Sequence, residues 1–172
     1  MNQLLLDRFK DYVNIHYSDH DINTKSICSN LNCSISCLHE QLTHEYGYSI
    51  MRYVEYFRIL KAIELICKGE RKVYDKVGYN SSSVFSKSFL RVTGYNARHF
   101  FYYQFAEHKN IMRTALEVAT ENPKKAIETI INDVSKRSML SKDIKITKTR
   151  KVKIITKKEI RKINMEAKFS LY

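Results

Sequence analysis

Apolar residues recur three and four positions apart through most of the first hundred residues, the period of helices with one buried face. Leu5, Phe9, Tyr12, Val13 and His16 form the first stripe and predict a helix over residues 2–17. After a polar turn at Asp19, His20, Asp21 and Asn23, the residues Ile27, Cys28 and Leu31 mark the inward side of a helix over 24–31. Asn32 and Cys33 make the next turn, and Ser34 is placed to cap a helix from Ile35 to Tyr46. Ser49 is placed to cap a long one, in which Tyr53, Phe57, Leu60, Ile63 and Cys67 repeat at three or four. A short helix from about Glu70 to Val77 carries Val73 and Val77 at i, i+4. Asn80 and Ser81 then cap a helix whose apolar face is Val84, Phe85, Phe89 and Val92, and whose opposite face is Ser82, Ser83, Ser86, Lys87 and Arg91. The four glycines, Gly47, Gly69, Gly78 and Gly94, all stand at predicted helix ends or turns. The fold class this predicts is mainly α.

A helix, a glycine turn and a second helix with a small, polar, basic face is the pattern of a helix-turn-helix, whose second helix lies in the DNA major groove. Taken once, an ordinary helical hairpin accounts for the same residues. The pattern, however, occurs twice. Shifted by about 47 residues, Cys33 answers to Tyr79, Leu38 to Phe85, Leu42 to Phe89, Gly47-Tyr48 to Gly94-Tyr95 and Tyr53 to Phe100, with one inserted residue absorbed in the turn. Over roughly Asn2 to Tyr103 this arrangement resembles the DNA-binding domain of AraC/XylS-type bacterial transcription regulators. The resemblance implies two helix-turn-helix subdomains, at about 22–47 and 70–94, joined by a long linker helix within a DNA-binding domain of residues 1–104. That linker, at ~1.5 Å per residue, is about 28 Å long, near the ~34 Å between successive major-groove faces.

The resemblance also assigns readers of DNA. In unit one the base-reading candidates are Ser36, His39 and Glu40; in unit two they are Ser82, Ser83, Ser86 and Lys87. Serine donates or accepts, and lysine donates to guanine O6/N7. Glu40 stands where many relatives carry arginine; it either accepts from cytosine N4 or pairs with a neighbouring base and reads nothing. Phosphate-contact candidates are Lys25, Thr43, Arg71, Lys72, Arg91 and Arg98. Two further departures from the family are Tyr74, where alanine is usual and a tyrosine has to swing out or open the packing, and Ala97, where relatives often have proline.

Charge extends this picture toward the C-terminus. The net charge is +12, and residues 136–162 alone hold 12 basic and 2 acidic residues. A basic chain suits an anionic partner. The extension, residues 105–172, predicts helices at about 107–120 and 123–136, the latter opened by Asn122 as N-cap and Pro123 at N1. Ile144–Thr147 and Val152–Thr156 alternate like the strands of a short β-hairpin. A packed module, a DNA-hugging arm and a disordered tail all fit this composition.

Other chemistries find little support. Cys28, Cys33 and Cys37 have C-x4-C-x3-C spacing, which is not a zinc pattern, and Cys28 and Cys33 suit core positions of the helix-turn-helix as thiols. His39 and His44 are at i, i+5 and point about 140° apart on a helix. No phosphate loop, catalytic triad or carboxylate cluster is present, so neither an enzyme nor a cofactor is expected. Without an early signal segment or a membrane span, the expected location is the bacterial cytoplasm. The function expected is sequence-specific transcription regulation by an activator that binds adjacent major-groove segments as a monomer. Its partners are double-stranded DNA and RNA polymerase. With unit one starting so near Met1, no effector domain is expected ahead of it, and control is expected through abundance or the tail. The rival expectation is a partner-binding regulator whose basic tail holds RNA polymerase, RNA or another regulator while the DNA domain anchors it weakly.

Overall fold

Seven helices make up all the regular structure among the described residues of the computed structural model, which describes residues 3–97 and 121–140, with side chains as far as Ser135 in the second stretch. They are α1 (Gln3–His16), α2 (Thr24–Leu31), α3 (Ile35–Tyr46), α4 (Ile50–Cys67), α5 (Val73–Lys76), α6 (Ser82–Thr93) and α7 (Pro123–Leu140). The chain divides between Ser135 and Lys136 into two compact units, and the first holds everything described below. The expected helix at 107–120, the β-hairpin at 144–156 and Arg98 lie outside the described residues.

Two apolar clusters form the core. The first gathers Leu6, Phe9 and Val13 of α1, Ile27 and Leu31 of α2, Leu38 and Leu42 of α3, and Ile50, Tyr53, Val54 and Phe57 of α4. The second gathers Ile59, Leu60, Ile63 and Ile66 of α4 with Val73, Val77, Tyr79, Phe85 and Phe89. The linker helix α4 therefore lends successive turns to both. Nine of its eighteen residues are buried, and Arg52, Glu55, Arg58, Lys61 and Glu64 interrupt its apolar run.

Local chemistry sets the ends of the elements. Asn23 and Ser26 form a reciprocal cap at the start of α2. Ser34 and Ser81 both accept from a backbone N–H in the first turn of the helix they precede. Ser49 occupies the N-cap position of α4 but makes no side-chain capping bond. Gly47 and Gly94 end α3 and α6 at φ of 74° and 75°. The helix expected from Glu70 is cut to four residues, because Lys72 is left-handed at φ 54° and helical backbone begins only after it. In the first turn the left-handed residue is Asn32, φ 52°, where the second has Gly78.

The helix starting at Pro123 forms as its cap predicts, with the Lys125 N–H donating to Asn122 Oδ1 at 3.2 Å. Its periodicity did not say where its stripe goes. Ala126, Ile127, Ile130 and Val134 join the second cluster. Tyr74 settles half-buried against the same cluster, which resolves the packing problem its bulk raised.

Candidate nucleic-acid interface

The rotation of α6 about its axis decides what it presents. Phe85 and Phe89 are buried, their rings 5.6 Å apart, and Tyr79 meets Phe85 edge-on at 5.5 Å. Ser88, to which the sequence assigned no face, is 4% exposed. Its hydroxyl donates to the Glu55 carboxylate and accepts from the Tyr79 hydroxyl at 3.1 Å. Val84, expected on the apolar face, is 57% exposed. The open face thus consists of Ser82, Ser83, Val84, Ser86 and Lys87, all exposed and without an acid among them. Val84, Lys87 and Arg91 also line a cleft of about 320 Å³ with Met51 and Glu55 of α4.

In α3, Leu38 and Leu42 are buried, so Ser36, His39, Glu40 and Thr43 come together on the exposed side. Thr43 Oγ1 lies 3.5 Å from His39 Nδ1. Glu40 has no ion-pair partner among the described residues, so the basic neighbour envisaged for it is not found there. Lys25, in the first turn of α2, and Arg71 and Lys72, in the loop before α5, are exposed. Arg91 is differently placed. Its guanidinium is paired with Glu55 and lies 3.4 Å from Ser88 Oγ.

Glu55 is the residue that the sequence reading passed over. It accepts from Ser88, from Arg91 and, at 2.6 Å, from Arg52. Burial pushes its carboxyl pKa up, but these hydrogen bonds outweigh burial and hold it below its ordinary 4.5. A carboxylate depressed in the folded state stabilises fully above its unfolded pKa and loses that contribution as pH falls through the folded value. Glu55→Gln is therefore expected to lower the melting temperature at neutral pH, with the gap to wild type closing as pH drops below about 4. Thermal melts of both proteins across that range check it; a gap independent of pH would remove the carboxylate's charge from the account.

Arg58 was the other silent residue. Its Nε donates to Tyr17 O at 2.7 Å, its Nη2 donates to Asp19 O at 2.6 Å, and its guanidinium sits 5.4 Å from the Tyr79 ring centre. It joins the loop before unit one to the turn of unit two. Charges recurring every three residues, at Arg52, Glu55, Arg58, Lys61 and Glu64, were visible in the sequence of α4, but nothing local singles out Glu55 and Arg58 among them.

Of the thiols, Cys28 is buried in the core, Cys33 and Cys67 are half-buried and Cys37 is exposed. Cys33 N–H bonds back to Cys28 O at 3.1 Å, closing the end of α2, and burial pushes the Cys28 thiol up to about 11. Among the described residues no group of three or more His, Cys, Asp or Glu is placed to hold a metal. No described helix is long and apolar enough to cross a membrane.

Comparison with known proteins fits this geometry. A helix-turn-helix domain family matches residues 27–102. The HTH-type transcriptional activator RhaS of Escherichia coli, strain K12 / DH10B, is 29% identical over 86 residues, which is 48% of this chain and 31% of RhaS. RhaS of Escherichia coli O9:H4, strain HS, matches to the same extent. The chain thus spans about a third of the length of these curated relatives. The C-terminal domain of AraT, a response regulator from Geobacillus stearothermophilus, superposes with a TM-score of 0.54 at 26% identity, over 57% of this chain and 84% of that one. The repeated units, the helix-turn-helix domain match over residues 27–102 and these neighbours together support kinship of this part of the chain with the AraC/XylS-type helix-turn-helix regulators.

Proposed function

We propose that this protein is a sequence-specific transcription regulator that reads duplex DNA through α3 and α6 in adjacent stretches of major groove. The observation that carries the reading is the face of α6: hydroxyls, one lysine and one exposed valine, with no acid, held in one rotation by the Ser88–Glu55 contact. Such a face approaches a polyanion without repulsion and offers base edges both donors and acceptors. In this reading Lys87 donates to guanine O6/N7, the flanking serines adjust to their neighbours, and Val84 meets a thymine methyl group. Unit one contributes through Ser36, His39 and Glu40, with Glu40 selecting cytosine N4. Lys25, Thr43, Arg71, Lys72, Arg91 and Arg98 hold phosphates. Residues 1–104 form the DNA-binding part and 105–172 the basic extension, which adds non-specific affinity. Binding is monomeric, on an asymmetric site. The relatives named as activators favour activation, through contact with RNA polymerase beside the promoter.

Selection from a random duplex pool tests the reading. Two short motifs about one helical turn apart are expected; retention without enrichment would defeat it. On the selected site, Lys87→Ala is expected to weaken binding by about 1–3 kcal/mol and to relax the preference at one position only. A titration series with each base at that position checks it; a uniform loss over all four bases would make Lys87 a phosphate contact.

A further inference from the structure

The sequence repeat puts Tyr48 and Tyr95 in equivalent places, each directly after the glycine that ends a reading helix. Both hydrogen-bond to α7, one at its N-cap residue and the other thirteen residues further along. The Tyr48 hydroxyl donates to Asn122 Oδ1 at 3.1 Å. The Tyr95 hydroxyl and Ser135 Oγ are 2.9 Å apart. About 20 Å of helix separates Asn122 from Ser135 at ~1.5 Å per residue. Tyr48 packs with the first cluster, its ring 5.7 Å from Tyr46, 6.3 Å from Tyr53 and 5.1 Å from Tyr56. Tyr95 packs with the second cluster, as do Ala126, Ile127, Ile130 and Val134 of α7 itself.

The fastening is therefore unequal. Four buried side chains hold α7 to the second helix-turn-helix unit, whereas the Tyr48–Asn122 bond reaches the first. We infer that α7 is a strap that fixes the orientation of the two units relative to each other, with Tyr48–Asn122 as its latch. Asn122 suits this role because its side chain also caps α7, accepting from Lys125 N–H, so the latch engages only the formed helix. Burial pushes the Tyr48 hydroxyl's pKa up, which keeps it a donor at neutral pH.

The consequence for recognition rests on the proposed reading of DNA. Two tethered heads gain most when their span matches the spacing of their sites and lose that gain when it does not. The narrower the range of orientations, the sharper the dependence on spacing. A strapped protein should count base pairs between its subsites; an unlatched one should tolerate miscounting.

Two measurements on the full chain test this, using Tyr48→Phe and Tyr95→Phe. Each replacement removes one hydroxyl and keeps the ring, so both proteins should fold. The first measurement needs no DNA: spin labels carried by unnatural amino acids at His39 and Ser83, both exposed, report the distance distribution between the reading helices. Tyr48→Phe is expected to broaden it, and Tyr95→Phe to leave it unchanged, since α7 stays packed on the second unit. The second measurement compares affinities for the selected site and for the same site with one inserted base pair. Losing one hydrogen bond shifts a docking equilibrium by roughly fivefold, so the penalty for the insertion should shrink by about that factor in Tyr48→Phe only. Equal distance distributions in wild type and Tyr48→Phe, or equal broadening by both replacements, would overturn the strap. Broadening without any sequence-selective DNA binding would leave the strap standing and defeat the proposed function instead. Broadening with an unchanged insertion penalty would show that the strap does not set site spacing.

Discussion

Gly78→Ala is expected to destabilise the protein by about 3 kcal/mol or more, well beyond the ordinary effect of giving a glycine a side chain. Two terms add. At φ +80° an L-residue is strained, by roughly 1 kcal/mol. A Cβ there would also come within 2.7 Å of Arg58 Nη2 and of Tyr17 O. The carbonyl belongs to the backbone, so the arginine has to give way, and it is held by Tyr17 O and Asp19 O. Hydrogen bonds to a charged group contribute about 1.5–3 kcal/mol each when lost. Gly47 gives the control. It has nearly the same φ, +74°, but nothing lies within 4 Å of its added Cβ, so Gly47→Ala should cost about 1 kcal/mol. Urea denaturation of both variants, with the midpoint falling and the slope unchanged, separates backbone strain from displaced arginine. Equal losses would mean that Arg58 moves aside freely. Asn32 shows the same contrast from nature's side: the equivalent turn in unit one tolerates an exposed asparagine in the left-handed conformation.

Ile130→Ala is expected to cost about 2–5 kcal/mol, the range for deleting a buried aliphatic side chain. Ile130 is 2% exposed, in the middle of the α7 stripe that enters the second cluster. Thr129→Ala, one residue earlier on the exposed side, should stay within about 0.5 kcal/mol. Thermal or chemical unfolding of the full chain reads both. A loss from Ile130→Ala no larger than that from Thr129→Ala would mean that α7 contributes nothing to the core.

Helix ends were the most legible part of this chain, because capping is local. Asn32, Ser34, Ser81, Gly47 and Gly94 mark the ends of α2, α3 and α6, and the expected boundaries stand. What failed to show in the sequence depends on partners far away along it. Ser88 is buried against the Glu55 carboxylate, 33 residues earlier, to which it donates; Val84, one turn before it, lies at the edge of the buried stripe and stays exposed. Arg91 looked like a free cation for the same reason, its partner Glu55 lying in α4, far back along the chain. Lys72 shortens α5 by adopting a left-handed backbone that no propensity of lysine predicts. The stripe on α7 announced that one face would be covered, but a stripe names no partner. Of the candidate readers, those on α3 and α6 could be placed from periodicity, since exposure opposite a buried stripe follows from helix geometry. Their contacts with bases are a matter of the complex and are proposed above.

The shared linker helix gives the repeat an unexpected character. Nine residues of α4 are buried, four in the first cluster and five in the second. A break anywhere in it would strip one cluster of its central wall and leave the other with a helix too short to hold in water. Neither half is a foldon in its own right. Although the sequence repeats a motif, the folded chain shares one helix between the two cores, and both halves are expected to melt together. A mutation in the core of one reading unit is therefore felt at the other as lost population of the native state, with no signal having to travel between them.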